Sequence, residues 1–185
     1  MRYPRTIKGI FAGAVAAVTM MPGLANAEAF NGPYAGAEVG LGALKSKGST
    51  LAGPFKATNE TIVIGAIAGY RVSLGENLPF VLGAEGGVGV NTDGGDTRFM
   101  VSGISGLKIG GKALVYGRAG YAWNHELSKD TESGLVLGGG AELAINEHMR
   151  ARLEYRHIDY GEITFPDNTA DYDGHEIMAG VFFNF

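Results

Sequence analysis

From Met149 to Arg156 the chain alternates without a break: Met149, Ala151, Leu153 and Tyr155 interleave with Arg150, Arg152, Glu154 and Arg156. Four apolar side chains in one phase and four charges in the other is the period of an extended strand; on a helix the two sets would mix around the circumference. Such a strand must separate an apolar environment from a polar one. The same period recurs at the C-terminus, where every second residue from Ile177 to Phe185 is apolar.

Read with this period, the chain divides into eight segments, at approximately 33–43, 61–72, 79–91, 97–109, 113–124, 134–145, 149–160 and 174–185. Each is close to the roughly 9 to 11 residues of a tilted membrane-crossing strand. The connections alternate in length as well. Leu44 to Glu60, Thr92 to Asp96, His125 to Ser133 and Gly161 to Asp173 form one set, and the mostly tighter Ser73 to Leu78, Gly110-Gly111-Lys112 and Asn146-Glu147-His148 form the other. Loops on one side and turns on the other describe an all-β, eight-stranded, antiparallel up-and-down transmembrane barrel with both termini at the turn side.

Alternation alone does not separate this barrel from a soluble one of lipocalin type, which also has one apolar and one polar face. The charge supply separates them. Outside the seventh segment the strand cores carry Glu38, Arg71, Glu85, Arg98, Lys108, Arg118, Glu142 and Glu176, too few to coat a solvated exterior but enough to fill a polar interior. The opposite rows are apolar or small: Ala35-Ala37-Val39-Leu41, Ile62-Ile64-Ala66-Ala68-Tyr70, Phe80-Leu82-Ala84-Gly86-Val88-Val90 and Leu135-Leu137-Gly139-Ala141-Leu143-Ile145. An arginine turned into lipid would cost about 2 to 4 kcal/mol at the midplane, so in a membrane the charged rows face inward. Aromatic residues sort toward strand ends, with Tyr34, Tyr70, Phe80, Phe183 and Phe185 at one rim and Phe99, Tyr121, Trp123 and Tyr160 at the other, as two interfacial girdles.

The N-terminus reads as an export signal. Arg2, Arg5 and Lys8 precede an apolar stretch from Gly9 to Met21, a Pro22-Gly23 break and the cleavage-type Ala25-Asn26-Ala27. Residues 1–27 are therefore expected to be removed, leaving a barrel domain of residues 28–185. Removal takes three of 15 basic residues and none of 19 acidic ones, moving the formal charge from -4 to -7. A nucleic-acid partner is not expected. With no cysteine, neither a disulfide framework nor a thiolate site can form. Glycine is abundant, 31 in all, a density that would damage helices but suits closed, strongly curved strands.

Three stretches carry a family likeness: Phe30-Asn31-Gly32-Pro33-Tyr34-Ala35-Gly36, Leu153-Glu154-Tyr155-Arg156-His157-Ile158-Asp159-Tyr160-Gly161, and Val181-Phe182-Phe183-Asn184-Phe185. The mature chain resembles the small outer-membrane β-barrel proteins of opacity-porin and alphaproteobacterial surface-antigen type. The resemblance implies a barrel like the transmembrane domain of outer membrane protein A, multi-pass in the outer membrane of a Gram-negative bacterium. It implies, too, that Val181, Phe183 and Phe185 form the terminal signal read by the barrel-assembly machinery. Members of this type have been assigned envelope-stabilising, adhesive, immune-evading or haemin-binding roles. Since the sequence stops at Phe185, direct anchoring to peptidoglycan is not expected.

Eight strands enclose an interior just wide enough for side chains to fill. Glu38, Arg71, Glu85, Arg118, Glu142, Arg150, Arg152, Glu154 and Arg156 are therefore expected to form layered ion pairs rather than to line a channel. Catalysis is not expected. His125 and His148 sit at opposite rims, and His157 with Asp159 lacks the serine of barrel deacylases. No metal or cofactor site is expected from the histidine spacing, although His157 and His175 could meet across adjacent strands. The leading functional reading is a structural and surface-interaction protein of the envelope. It would be favoured as a monomer, surrounded by outer-membrane lipids and lipopolysaccharide and offering its loops to host surface molecules or the environment. A small porin passing solutes and a surface haemin- or ligand-binding protein are the alternatives.

Overall fold

In the computed structural model the described residues are 30–50, 53–74, 78–93, 96–125, 132–165 and 168–185. The expected signal peptide lies outside them, as do parts of the Thr92 to Asp96 and His125 to Ser133 connections. Eight strands follow one another: β1 (Gly32–Thr50), β2 (Gly53–Ser73), β3 (Phe80–Asn91), β4 (Thr97–Ile109), β5 (Ala113–His125), β6 (Glu132–Ala144), β7 (Met149–Phe165) and β8 (Asn168–Asn184). Each pairs antiparallel with the next, and β8 returns to β1 with Tyr34 opposite Asn184, closing the barrel. Closure removes the sheet edges that an open meander of these strands would expose.

Phase is kept around the whole circumference. Leu41 (70 % exposed), Leu153 (60 %) and Ile177 (59 %) point outward, while Arg71 (0 %), Arg150 (1 %) and Arg156 (1 %) point inward. All four apolar rows read from the sequence lie outside. The turn between β4 and β5 has Gly110 at φ 58° and Gly111 at φ 69°, the paired left-handed conformation that a tight hairpin in a right-twisted sheet requires.

The far end departs from expectation. Leu44 to Glu60 and Gly161 to Asp173, read as loops, are largely strand: β1 stays paired with β2 up to Thr50 opposite Gly53, and with β8 up to Ser49 opposite Thr169. Yet β2 meets β3 only from Val63, and β6 meets β7 only as far as Asp159. Four strands, β7-β8-β1-β2, thus rise beyond the barrel as a continuous twisted sheet. Polar, Gly- and Ser-rich composition suggests a loop when only local preference is considered. The ladder prevails because β1 and β8 bond each other, as well as β2 and β7, over this length. A register shift between Asp159 and Glu162 bends the sheet as it leaves the barrel. There Gly161 takes φ 76° and donates its N–H to Asp159 Oδ1 at 2.8 Å.

Two apolar clusters plug the interior. Phe30, Val81, Ile104, Leu114 and Tyr116 close the end that bears the termini, with Ala144 against them. Tyr34, Ile67, Met100, Ala122, Val136, Ile158 and Phe182 pack across the middle. Tyr34 and Tyr160, expected in the girdles, instead face inward. Tyr34 shares the phase of Glu38 and Tyr160 that of Arg156, and phase outweighs position along the strand. Space for Tyr34 comes from Gly69, where a Cβ would stand 2.8 Å from the Tyr34 ring.

Candidate functional site

The interior charges converge because each strand delivers one or more to the same side of the sheet. Glu142 on β6 accepts from Arg71 Nη1 and Nη2 at 2.7 and 2.6 Å and from Arg152 Nε at 2.7 Å, with Arg150 Nη1 at 3.4 Å. Glu85 on β3 accepts from Arg71 at 3.1 Å, from Arg152 at 2.6 Å, and from Arg118 and the Tyr34 hydroxyl. Glu154 accepts from Arg118 at 3.0 Å and from Arg156 and the Tyr116 hydroxyl. Arg156 then reaches Glu38 through two bonds of 2.6 Å. All nine residues singled out from the sequence thus belong to one connected network running through the barrel from Glu142 to Glu38.

Such burial is costly unless every charge is matched. The carboxylates are matched several times over, and arginine suits the task because its planar fork donates to two acceptors at once. Rings complete the shell. The Tyr34 ring stands against the guanidinium groups of Arg71 (4.4 Å to the ring centroid) and Arg150 (4.5 Å), and Arg152 lies 4.0 Å from the Phe182 centroid. Arg150 has no hydrogen bond among the described residues, so the Tyr34 face and the 3.4 Å pair with Glu142 are what hold its charge.

Sequence reading left two participants out of the network, the Tyr34 and Tyr116 hydroxyls, and did not pair Arg98 with Glu176, which form a separate buried couple with an Nη2 to Oε2 distance of 2.8 Å. Phase alone could have found Tyr116, which stands two residues from Arg118; Arg98 and Glu176 were among the interior charges that phase indicated, but not as partners. Phe30, which caps the terminal end, carries no periodic signal because it precedes β1.

Outside the barrel, His157 and His175 are cross-strand partners with ring centroids 4.9 Å apart. Tyr155 Oη and His175 Nδ1 share a hydrogen bond of 2.7 Å, and His157 Nε2 lies 4.0 Å from Asp173 Oδ1. His148 is exposed in the β6–β7 turn. The side chains of His125, Glu162, Asp167 and Asp171 lie outside the described residues. Val181 and Phe183 face outward on β8, and Phe185 N–H donates to the Pro33 carbonyl at 3.1 Å, tying the last residue to β1.

An apolar exterior, a closed ring of eight antiparallel strands and a charged, side-chain-filled interior define a small β-barrel of the outer-membrane class. The chain belongs to the outer membrane protein beta-barrel domain family, whose model matches residues 10–185. Among solved structures it is similar to Neisserial surface protein A, at 17 % identity and TM-score 0.51, covering 80 % of this chain and 97 % of that one. It is likewise similar to the outer membrane protein OprG from Pseudomonas aeruginosa, at 11 % identity and TM-score 0.50, covering 84 % and 97 %. At these identities the likeness is one of fold. No curated protein sequence matches the chain.

Proposed function

We propose that the protein is a structural and surface-interaction component of the Gram-negative outer membrane, a sealed barrel that anchors a four-stranded sheet projecting outward. One observation carries this reading: the ion-pair network and the two apolar clusters fill the lumen while β7-β8-β1-β2 continue past the rim. With the termini at the periplasmic side, that sheet reaches the cell exterior. Its partners are then outer-membrane lipids, lipopolysaccharide and whatever host or environmental surface molecules meet the sheet, with the barrel acting as a monomer. The role is non-catalytic in this reading.

Planar-bilayer recording separates this from a solute-passing porin. The purified protein is expected to give no stable conductance step, because a lumen crossed by Arg–Glu pairs leaves no continuous water path. Large, stable openings would refute the anchor reading.

Assembly rests on the same orientation. Deleting Phe185 removes an aromatic from the periplasmic girdle and from the end of β8, which we read with Val181 and Phe183 as the signal for the barrel-assembly machinery. The expected result in cells is a lower yield of heat-modifiable, membrane-assembled protein. Unchanged yield would deny Phe185 that role.

A further inference from the structure

Above the sealed lumen the barrel does not end flush. Between the far rim and the base of the projecting sheet lies a cleft of about 200 Å³. Its floor includes Ile158 and the Arg98–Glu176 pair, and Asn91, Asn124, Tyr160 and Tyr172 stand among its walls. These side chains come from β3, β4, β5, β7 and β8, so only barrel closure brings them together. None belongs to the central network.

We propose that this cleft binds an uncharged, polyhydroxylated ligand the size of one sugar ring. Two amides, Asn91 and Asn124, each offer a donor and an acceptor, the complement of vicinal hydroxyls. Two tyrosines supply ring faces on which the C–H face of a sugar packs, and hydroxyls at their tips. Arg98 is held by Glu176 through both terminal nitrogens, so its charge is neutralised. The remaining carboxylate on the lining, Asp96, disfavours an anion. The volume falls below the roughly 300 to 1,000 Å³ of a site for drug-sized ligands, which restricts the fit to a single ring. A filled lumen below makes the cleft a dead end, suited to holding a ligand rather than passing it.

The inference rests on the outward orientation proposed above for its access to external sugars, but binding itself can be measured without any membrane. Isotope-labelled barrel in phosphocholine micelles, free of sugar-headed detergent, is titrated with neutral methyl hexosides, with a sugar acid and with uridine. Nitrogen-edited NMR follows the side-chain amides. Saturable shifts at the Asn91 and Asn124 amides with at least one neutral hexoside are expected, weakened about tenfold in Tyr172→Ala, the loss of one stacked ring. The wild type alone is decisive should that variant fold poorly. No shifts, shifts confined to the outer faces around Lys45 and Lys56, or tighter binding of the sugar acid or uridine would each overturn the proposal. Conductance by the barrel would instead sink the anchor reading and leave these titrations to stand or fall separately.

Discussion

Replacing Glu85 with alanine is expected to lower the unfolding free energy of the barrel by about 3 to 5 kcal/mol, the usual cost of stranding a buried charge. Glu85 is 2 % exposed and accepts from Arg71, Arg118, Arg152 and the Tyr34 hydroxyl, so its loss leaves three guanidinium groups facing one another without the anion between them. Urea titration in lipid vesicles, followed by heat-modifiable gel migration, measures the effect. Glu85→Gln keeps the volume and one carbonyl acceptor but not the charge, and should fall between wild type and alanine. An alanine variant within about 1 kcal/mol of wild type would mean that water replaces the carboxylate and that the interior is wet.

The second large effect lies on the other face of the sheet. Leu153→Arg is expected to cost about 2 to 4 kcal/mol in vesicles, because Leu153 points outward at 60 % exposure, midway along the apolar row of β7. Were the barrel solvated, the same change would be close to neutral. Its neighbours Arg152 and Glu154 face inward at 3 % and 1 % exposure, so the two phases of one strand should respond in opposite ways. Charge is tolerated inside and apolarity outside. A neutral Leu153→Arg would contradict membrane insertion itself, whereas a neutral Glu85→Ala would contradict only the dry interior.

The alternation of Met149 to Arg156 and the matching rows elsewhere determined the strand number, the up-and-down order and which side of each strand faces in. Period two leaves no freedom in this: once one residue is assigned a face, every other residue of that strand follows. Residue phase therefore placed Glu38, Arg71, Glu85 and Arg118 inside before any contact was known. It did not say which carboxylate meets which arginine. That depends on the stagger between strands, which brings Arg156 on β7 to Glu38 on β1 although 118 positions separate them.

Tertiary structure also decided the fate of the segments around Leu44 to Glu60 and Gly161 to Asp173. Locally they are polar, with weak strand preference, but each ladder between β1 and β8, once begun in the barrel, extends residue by residue into the projecting sheet. Tyr34, Tyr160 and the cleft around Asn91 and Asn124 belong to this second kind of information. A single strand carries phase, and therefore which face is wet; only closure of eight strands determines what stands opposite what. The distribution of charge was thus written along the chain, while the pairing of those charges and the shape of the outer mouth arose from strand register and barrel curvature.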